Sequence, residues 1–182
     1  MTTIEEGRKK LMELKKEREE KEKRTKKLLW NDPIITEALN NAPMYRRIAV
    51  GKFVERQTTL TSSYTGDLKD GYLVQDVFPG DFIVFRRNGR FDFMPRGEFD
   101  EVYQPSSKEE GRFVSRDCYK LVQNPTGEYI DMTDQAGTVQ KIYDMDIIGC
   151  QCDPETGSLL GNYVFNMPNM YLSPDYFEQV ET

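Results

Sequence analysis

Histidine is absent from this 182-residue chain. That absence removes the commonest general base near neutral pH, and with it Ser-His-Asp and Cys-His nucleophile pairs and imidazole metal sites. Cysteine is scarce and odd in number, at Cys118, Cys150 and Cys152. Three thiols make no disulfide framework and fit a reducing compartment. Long apolar runs are missing too. No stretch of about 18 apolar residues exists to span a bilayer, and the N-terminus lacks the apolar core of a secretory signal. Glycine does not gather into a phosphate loop. Gly66-Asp67 and Gly71 fit neither G-x-x-x-x-G-K-[ST] nor G-x-G-x-x-G.

What is present is aromatic and charged. Ten Phe, ten Tyr and one Trp are enough to build a core. Charge is divided unevenly along the chain. Residues 1–30 hold 11 Lys/Arg against 7 Asp/Glu, a net of +4, and residues 31–182 hold 14 against 24, a net of −10. An acidic body repels phosphates, so nucleic acid is disfavoured as its partner, whereas a basic protein surface suits it.

The first 30 residues read as a charged helical arm. Thr3 and Glu6 have capping-box spacing. Glu-to-Lys/Arg pairs four apart follow, among them Glu5–Lys9, Glu6–Lys10, Glu17–Lys21 and Glu22–Lys26. No apolar residue falls between Leu14 and Leu28, so the a and d positions of a long coiled coil are unfilled. Apolar contacts are therefore expected only at the two ends of one helix. Ile4, Leu11, Met12 and Leu14 mark one end, and Leu28, Leu29 and Trp30 the other. Two readings stand side by side: a solvated tail, and a helix that docks on a partner or a neighbouring copy through Leu11, Met12 and Leu14.

Asn31-Asp32-Pro33 breaks the arm and starts a short helix, with Asp32 as its cap and Pro33 in its first turn. Asn40-Asn41-Ala42-Pro43 ends it. From Met44 on, the alternation is that of strands: 45–55, 57–63, 72–77, 82–87 and 90–94, then 112–123, 128–132, 138–143, 146–152 and 158–166. Asn88-Gly89 predicts a hairpin between Phe82–Arg87 and Arg90–Met94. Short helices are predicted after Pro95, over Arg96–Tyr103, and from Ser173-Pro174-Asp175 through Val180. The fold class is α+β: a mostly antiparallel body, barrel-like or sandwich, behind a long charged N-terminal helix. The segments are 1–30 arm, 31–43 helix and linker, 44–104 first β unit, 105–116 linker and 117–182 second β unit. Phe99, Asp100 and Val102 match Phe177, Glu178 and Val180 at a constant offset, which suggests that the two β units are similar.

Residues Pro79, Gly80, Asp81, Phe82 and Ile83, followed by Pro95, Phe99 and Tyr103, form a pattern of their own. This stretch resembles the small bacteriophage-encoded β domains typified by a PGDWI or PGDYI motif, with Phe82 where those have Trp or Tyr. Tyr45-Arg46-Arg47 sits where they carry an aromatic-basic start. The resemblance covers about a third of the chain. It implies a phage or mobile-element origin and a fold expectation, and it brings no catalytic residues.

The remaining groups with chemical capacity are weighed individually. Cys150 and Cys152, two apart in a strand, would face one side, with Cys118 near; zinc would want a fourth ligand, Asp153 fits awkwardly, and buried free thiols are expected. Asp131/Asp134 and Asp144/Asp146 are pairs able to hold Mg²⁺ or do acid–base work, but both flank turns, where Asp is ordinary. Arg86, Arg87 and Arg90 make a basic knob at the hairpin tip, fit for a phosphate or an acidic partner. The leading expectation is a non-enzymatic phage protein, without catalytic residues, cofactor or metal, in the host cytoplasm or the virion. It would act by protein contact through Leu11, Met12, Leu14 and the Arg86, Arg87, Arg90 tip, with a virion component or host factor as partner and self-association through the arm as one form of that contact. The alternatives are a nucleic-acid-binding accessory protein using the arm and the arginine tip, and a small-ligand binder or metal-dependent enzyme using the later carboxylates.

Overall fold

The computed structural model describes residues 3–23, 25–62, 73–85, 91–134, 136–168 and 172–181. In chain order they form α1 (Thr3–Lys23), β1 (Lys26–Leu29), α2 (Pro33–Asn41), β2 (Met44–Arg47), β3 (Gly51–Phe53), β4 (Thr58–Ser62), β5 (Leu73–Val77), β6 (Phe82–Phe85), β7 (Phe91–Met94) and α3 (Arg96–Val102). There follow β8 (Tyr103–Pro105), β9 (Phe113–Ser115), β10 (Cys118–Gln123), β11 (Ile130–Thr133), β12 (Val139–Ile142), β13 (Ile147–Cys152), β14 (Leu159–Met167) and β15 (Phe177–Gln179). The fold is α+β, with mostly antiparallel strands behind an N-terminal helix, and no barrel closes among the described residues.

The chain divides into two compact units, one of Met1–Pro43 with Lys120–Met170, the other of Met44–Tyr119 with Tyr171–Thr182. The segment expected as one β unit, 117–182, is thus split, its last residues belonging with the earlier strands.

In the first unit, α2 follows from its caps. The Asp32 carboxylate accepts from the Ile34 amide at 3.0 Å, Pro33 occupies the first turn, and Ile35 and Leu39, four apart, face inward. The arm ends earlier than expected. Residues 26–29 form a strand, parallel to β11 in the register Lys26↔Ile130 to Leu29↔Thr133. The physical reason is burial. As a strand, Leu28 turns into the core at 3% exposure while Leu29 faces out. Burying one leucine is worth about 2 kcal/mol, against a few tenths for each ion pair that would extend the helix. The antiparallel register Ile130↔Ile142 adds β12 to the same sheet. Its inner face carries Leu28, Ile130, Met132 and Ile142, packed with Ile35, Leu39, Ile148 and Cys150. β13 lies between β14 and β10 and is buried along most of its length.

In the second unit the expected hairpin is present, with β6 and β7 in the register Phe82↔Met94 to Phe85↔Phe91. β3 joins the other side of β6. The Pro79-Gly80-Asp81 turn is closed twice: the Asp81 amide donates to the Phe78 carbonyl at 3.0 Å, and the Asp81 carboxylate accepts from the Phe78 amide at 2.9 Å. Gly80 has φ +92°, a conformation that costs a residue with a Cβ. The turn delivers Phe82 into an aromatic cluster. Phe82 and Phe99 stack at 4.4 Å, Tyr103 stacks on Phe99 at 5.0 Å, and Phe53 and Phe113 meet Phe99 edge-on at 5.1 and 5.2 Å. The helix expected from Ser173 to Val180 is not formed. One turn, with the Tyr176 and Phe177 amides both donating to the Ser173 carbonyl, leads into β15, which pairs antiparallel with β2. Pairing lets Phe177 bury at 8% exposure and gives the Val180 amide the Met44 carbonyl, which a single helical turn after Pro174 would leave undone. The two similar-looking endings therefore differ: Phe99 sits on a helix and Phe177 on a strand.

Candidate functional site

The exposed chemistry of the molecule begins with α1. Glu5 and Glu6 lie in its first turn, where negative charge suits the positive end of the helix dipole. Every side chain described on it, at residues 4–20 and 23, is exposed. That includes Ile4 at 69%, Leu11 at 56%, Met12 at 63% and Leu14 at 54%. At 3.6 residues per turn, Ile4, Leu11 and Leu14 fall on one stripe and Met12 lies about a quarter-turn away. Arg8, Lys9, Lys10, Lys15 and Lys16 surround that stripe, with Glu13 as the only acid between residues 8 and 16. A 21-residue helix with no buried face is marginal by itself in water. Leu11 and Leu14 thus share a face of α1, while Met12 points to one side of it. Arg86, Arg87 and Arg90, with Asn88 and Gly89, lie outside the described residues.

Several other arginines of the second unit are engaged in holding the fold. Arg96 pairs with Asp100 at 3.0 Å and covers the Phe53 ring at 4.6 Å. Arg46 donates to the Ser115 carbonyl at 2.8 Å and to the Arg116 carbonyl at 2.5 Å, and Arg47 lies over Tyr119 at 5.4 Å.

The paired carboxylates separate into different roles. Asp134 accepts from the Thr138 amide at 2.8 Å, and Asp146 from the Tyr143 amide at 2.9 Å, so one member of each pair closes a turn. Asp153 does the same for the Glu155 and Thr156 amides, both at 2.8 Å, and these donors hold its carboxyl below the usual range. Asp131 lies mid-strand opposite Lys27 on one side and Lys141 on the other. Its Oδ1 is buried without a hydrogen-bond partner. Burial raises the pKa of the neighbouring Tyr129 hydroxyl, against the opposing effect of Lys141. Among the described residues no three Cys, Asp or Glu side chains converge as metal ligands.

The three cysteines form no disulfide with one another, and all are buried. Burial pushes the Cys150 thiol above its ordinary pKa, which keeps it protonated and unreactive at neutral pH. Among the described residues no helix is long and apolar enough to cross a membrane.

No family model, curated protein or solved structure matches this chain.

One surface was not anticipated from the sequence. The turn between β12 and β13 exposes Tyr143 at 45% and Met145 at 51%, with the exposed Asp144 between them. The Tyr143 ring meets Tyr129 at 5.0 Å, and Gln123 donates to the Met145 sulfur at 3.3 Å. The available signal was the Y-D-M-D alternation itself, which places apolar side chains in a turn that needs none. Chemically, α1 and this turn present exposed apolar groups beside charged ones.

Proposed function

We propose that this chain is a non-enzymatic binding protein that works by protein–protein contact through α1. The observation that carries the reading is the exposure of Leu11, Met12 and Leu14 on a helix with no described buried side chain. Unburied large hydrophobic groups on a helix of marginal intrinsic stability are stabilised when a partner covers them. The phage-domain likeness of residues 79–103 supports placing the protein among phage or mobile-element products, with a virion component or a host factor as the partner class and the host cytoplasm or the virion as its site of action.

The test compares the full chain with Leu11→Gln/Leu14→Gln as bait in infected-cell extracts. Both leucines are exposed and glutamine is nearly as good a helix former as leucine, so both proteins should show the same circular dichroism and unfolding midpoint. A stoichiometric partner retained by the full chain and lost by the variant is the expected result. Equal retention by both proteins would reduce α1 to a tail and overturn the proposal.

A further inference from the structure

We propose that the basic segment of α1, residues 8–16, docks on the acidic β12–β13 turn of a second copy of this chain, joining copies head to tail. This rests on the reading of α1 as a protein-contact element and commits it to one occupant. Two exposed apolar surfaces of opposite charge occur in the same chain. On the arm, Leu11, Met12 and Leu14 lie among five basic residues and one acidic residue. On the body, Tyr143 and Met145 flank Asp144, in a stretch, residues 120–170, that holds two lysines against seven carboxylates. One of those lysines, Lys120, is tied to the Asn40 carbonyl at 2.5 Å, and the other, Lys141, stands directly across from Asp131. Neither neutralises Asp144.

The turn is also preformed. Asn124 donates to the carbonyls of Glu128 and Tyr143 at 2.7 and 2.9 Å, bringing the exposed Glu128 alongside Tyr143. Asp146 closes the turn onto the Tyr143 amide. A receptor of fixed shape loses little conformational entropy on binding.

Pairing of two arms with each other is disfavoured by their own charges. A parallel pair with Ile4, Leu11 and Leu14 in its seam would set Lys10 against Lys15 and Glu17 against Glu22 across the interface. The seam would next receive Arg18 and Lys21. Every described α1 side chain is exposed, so the stripe is not covered by the rest of its own unit. An arm meeting a different patch on its neighbour is a heterologous contact, which propagates or closes as a ring.

Sedimentation velocity on the full chain tests this. Self-association is expected, weakening as salt rises. Leu11→Ser/Leu14→Ser and, separately, Asp144→Lys/Met145→Ser should each lower the association constant about tenfold or more. Each variant keeps one intact surface, so mixing the two should restore a dimer. Lys15→Glu/Lys16→Glu should likewise regain association with Asp144→Lys. A chain that stays monomeric at about 0.1 mM, or one whose association ignores the turn variants, overturns the proposal. A monomeric chain that still retains a different protein, or anionic phospholipid vesicles, through α1 would overturn self-docking; in the protein case the binding function of α1 would stand.

Discussion

Asn124 uses its whole side chain on the backbone around it. Its Nδ2 donates to Glu128 and Tyr143, and its Oδ1 accepts from the Thr126 amide at 3.0 Å and the Thr126 hydroxyl at 2.7 Å. At 4% exposure, no water replaces these bonds. Asn124→Ala would leave the Tyr143 carbonyl and the Thr126 amide unmatched, with the Glu128 carbonyl keeping only the Thr126 hydroxyl at 3.2 Å, and is expected to destabilise the protein by about 2 kcal/mol. The urea midpoint measures this. Asn124→Asp keeps the acceptor and loses both donors, so it should fall near the alanine variant at neutral pH. A loss below about 0.5 kcal/mol in both would mean that the turn is held by Asp146 alone. Residues 124–127 fall between the strands expected over 112–123 and 128–132, but the sequence could not show this role, because Tyr143 lies 19 residues away.

At the scale of elements, β3 and β6 approach too closely for any residue but glycine at position 51. A Cβ there would collide with the Ile83 carbonyl oxygen and come within 2.6 Å of the Phe82 ring. Backbone cannot give way cheaply, so Gly51→Ala must push β3 off β6 and loosen Phe53 from the aromatic cluster. The expected cost is at least about 2 kcal/mol, with a weakened near-ultraviolet circular dichroism signal from the ring cluster. An unchanged spectrum and midpoint would show that the two strands can separate freely. What was legible in the sequence at this scale follows the strength of local signals. The β6–β7 hairpin, α2 and α3 carry turn or cap residues next to clear periodicity, and each stands where expected. β1 and β15 were read as helix because their neighbours favour helix. Each is a strand only because a distant strand, β11 or β2, offers it an edge, and no local pattern reports that. The residues behind the phage-domain likeness prove to be structural. Pro79-Gly80-Asp81 is a closed turn, and Phe82, Phe99 and Tyr103 form the aromatic stack. A motif made of turn and core can specify a fold without specifying chemistry. The arm stripe was legible because it depends on helical spacing alone. The Tyr143–Asp146 surface was not, since exposure of Met145 is decided by which strands flank the turn.

At the scale of the whole molecule, the decisive feature is that residues 171–182 belong with residues 44–119. β15 is the strand that gives β2 its antiparallel partner, through Phe177↔Arg47, Glu178↔Arg46 and Gln179↔Tyr45. Its side chains add polar ties to the same unit. Glu178 accepts from the Ser106 hydroxyl at 2.7 Å, with Arg112 at 3.9 Å, and Lys108 pairs with Glu181 at 3.2 Å. The Glu178 side chain is only 10% exposed, so its hydrogen bond counts for more than the exposed Lys108 pair, whose worth is at most about 1 kcal/mol. Ending the chain after residue 170 would expose the backbone of β2, uncover the Tyr119 ring that Phe177 meets at 6.5 Å, and leave Ser106 and Arg112 without Glu178. The expected loss exceeds about 3 kcal/mol, because apolar burial, strand pairing and a mostly buried, hydrogen-bonded carboxylate are removed together. Hydrogen exchange of the truncated chain should show protection falling first at 44–48 and 103–115. If those segments keep the protection they have in the full chain, β15 is an ornament on the sheet and the C-terminal residues do not complete the unit. A smaller version of the same argument separates the contributions. Glu178→Gln keeps an acceptor for Ser106 and loses the charge facing Arg112, so its cost should be well below that of the truncation, with β2 still protected.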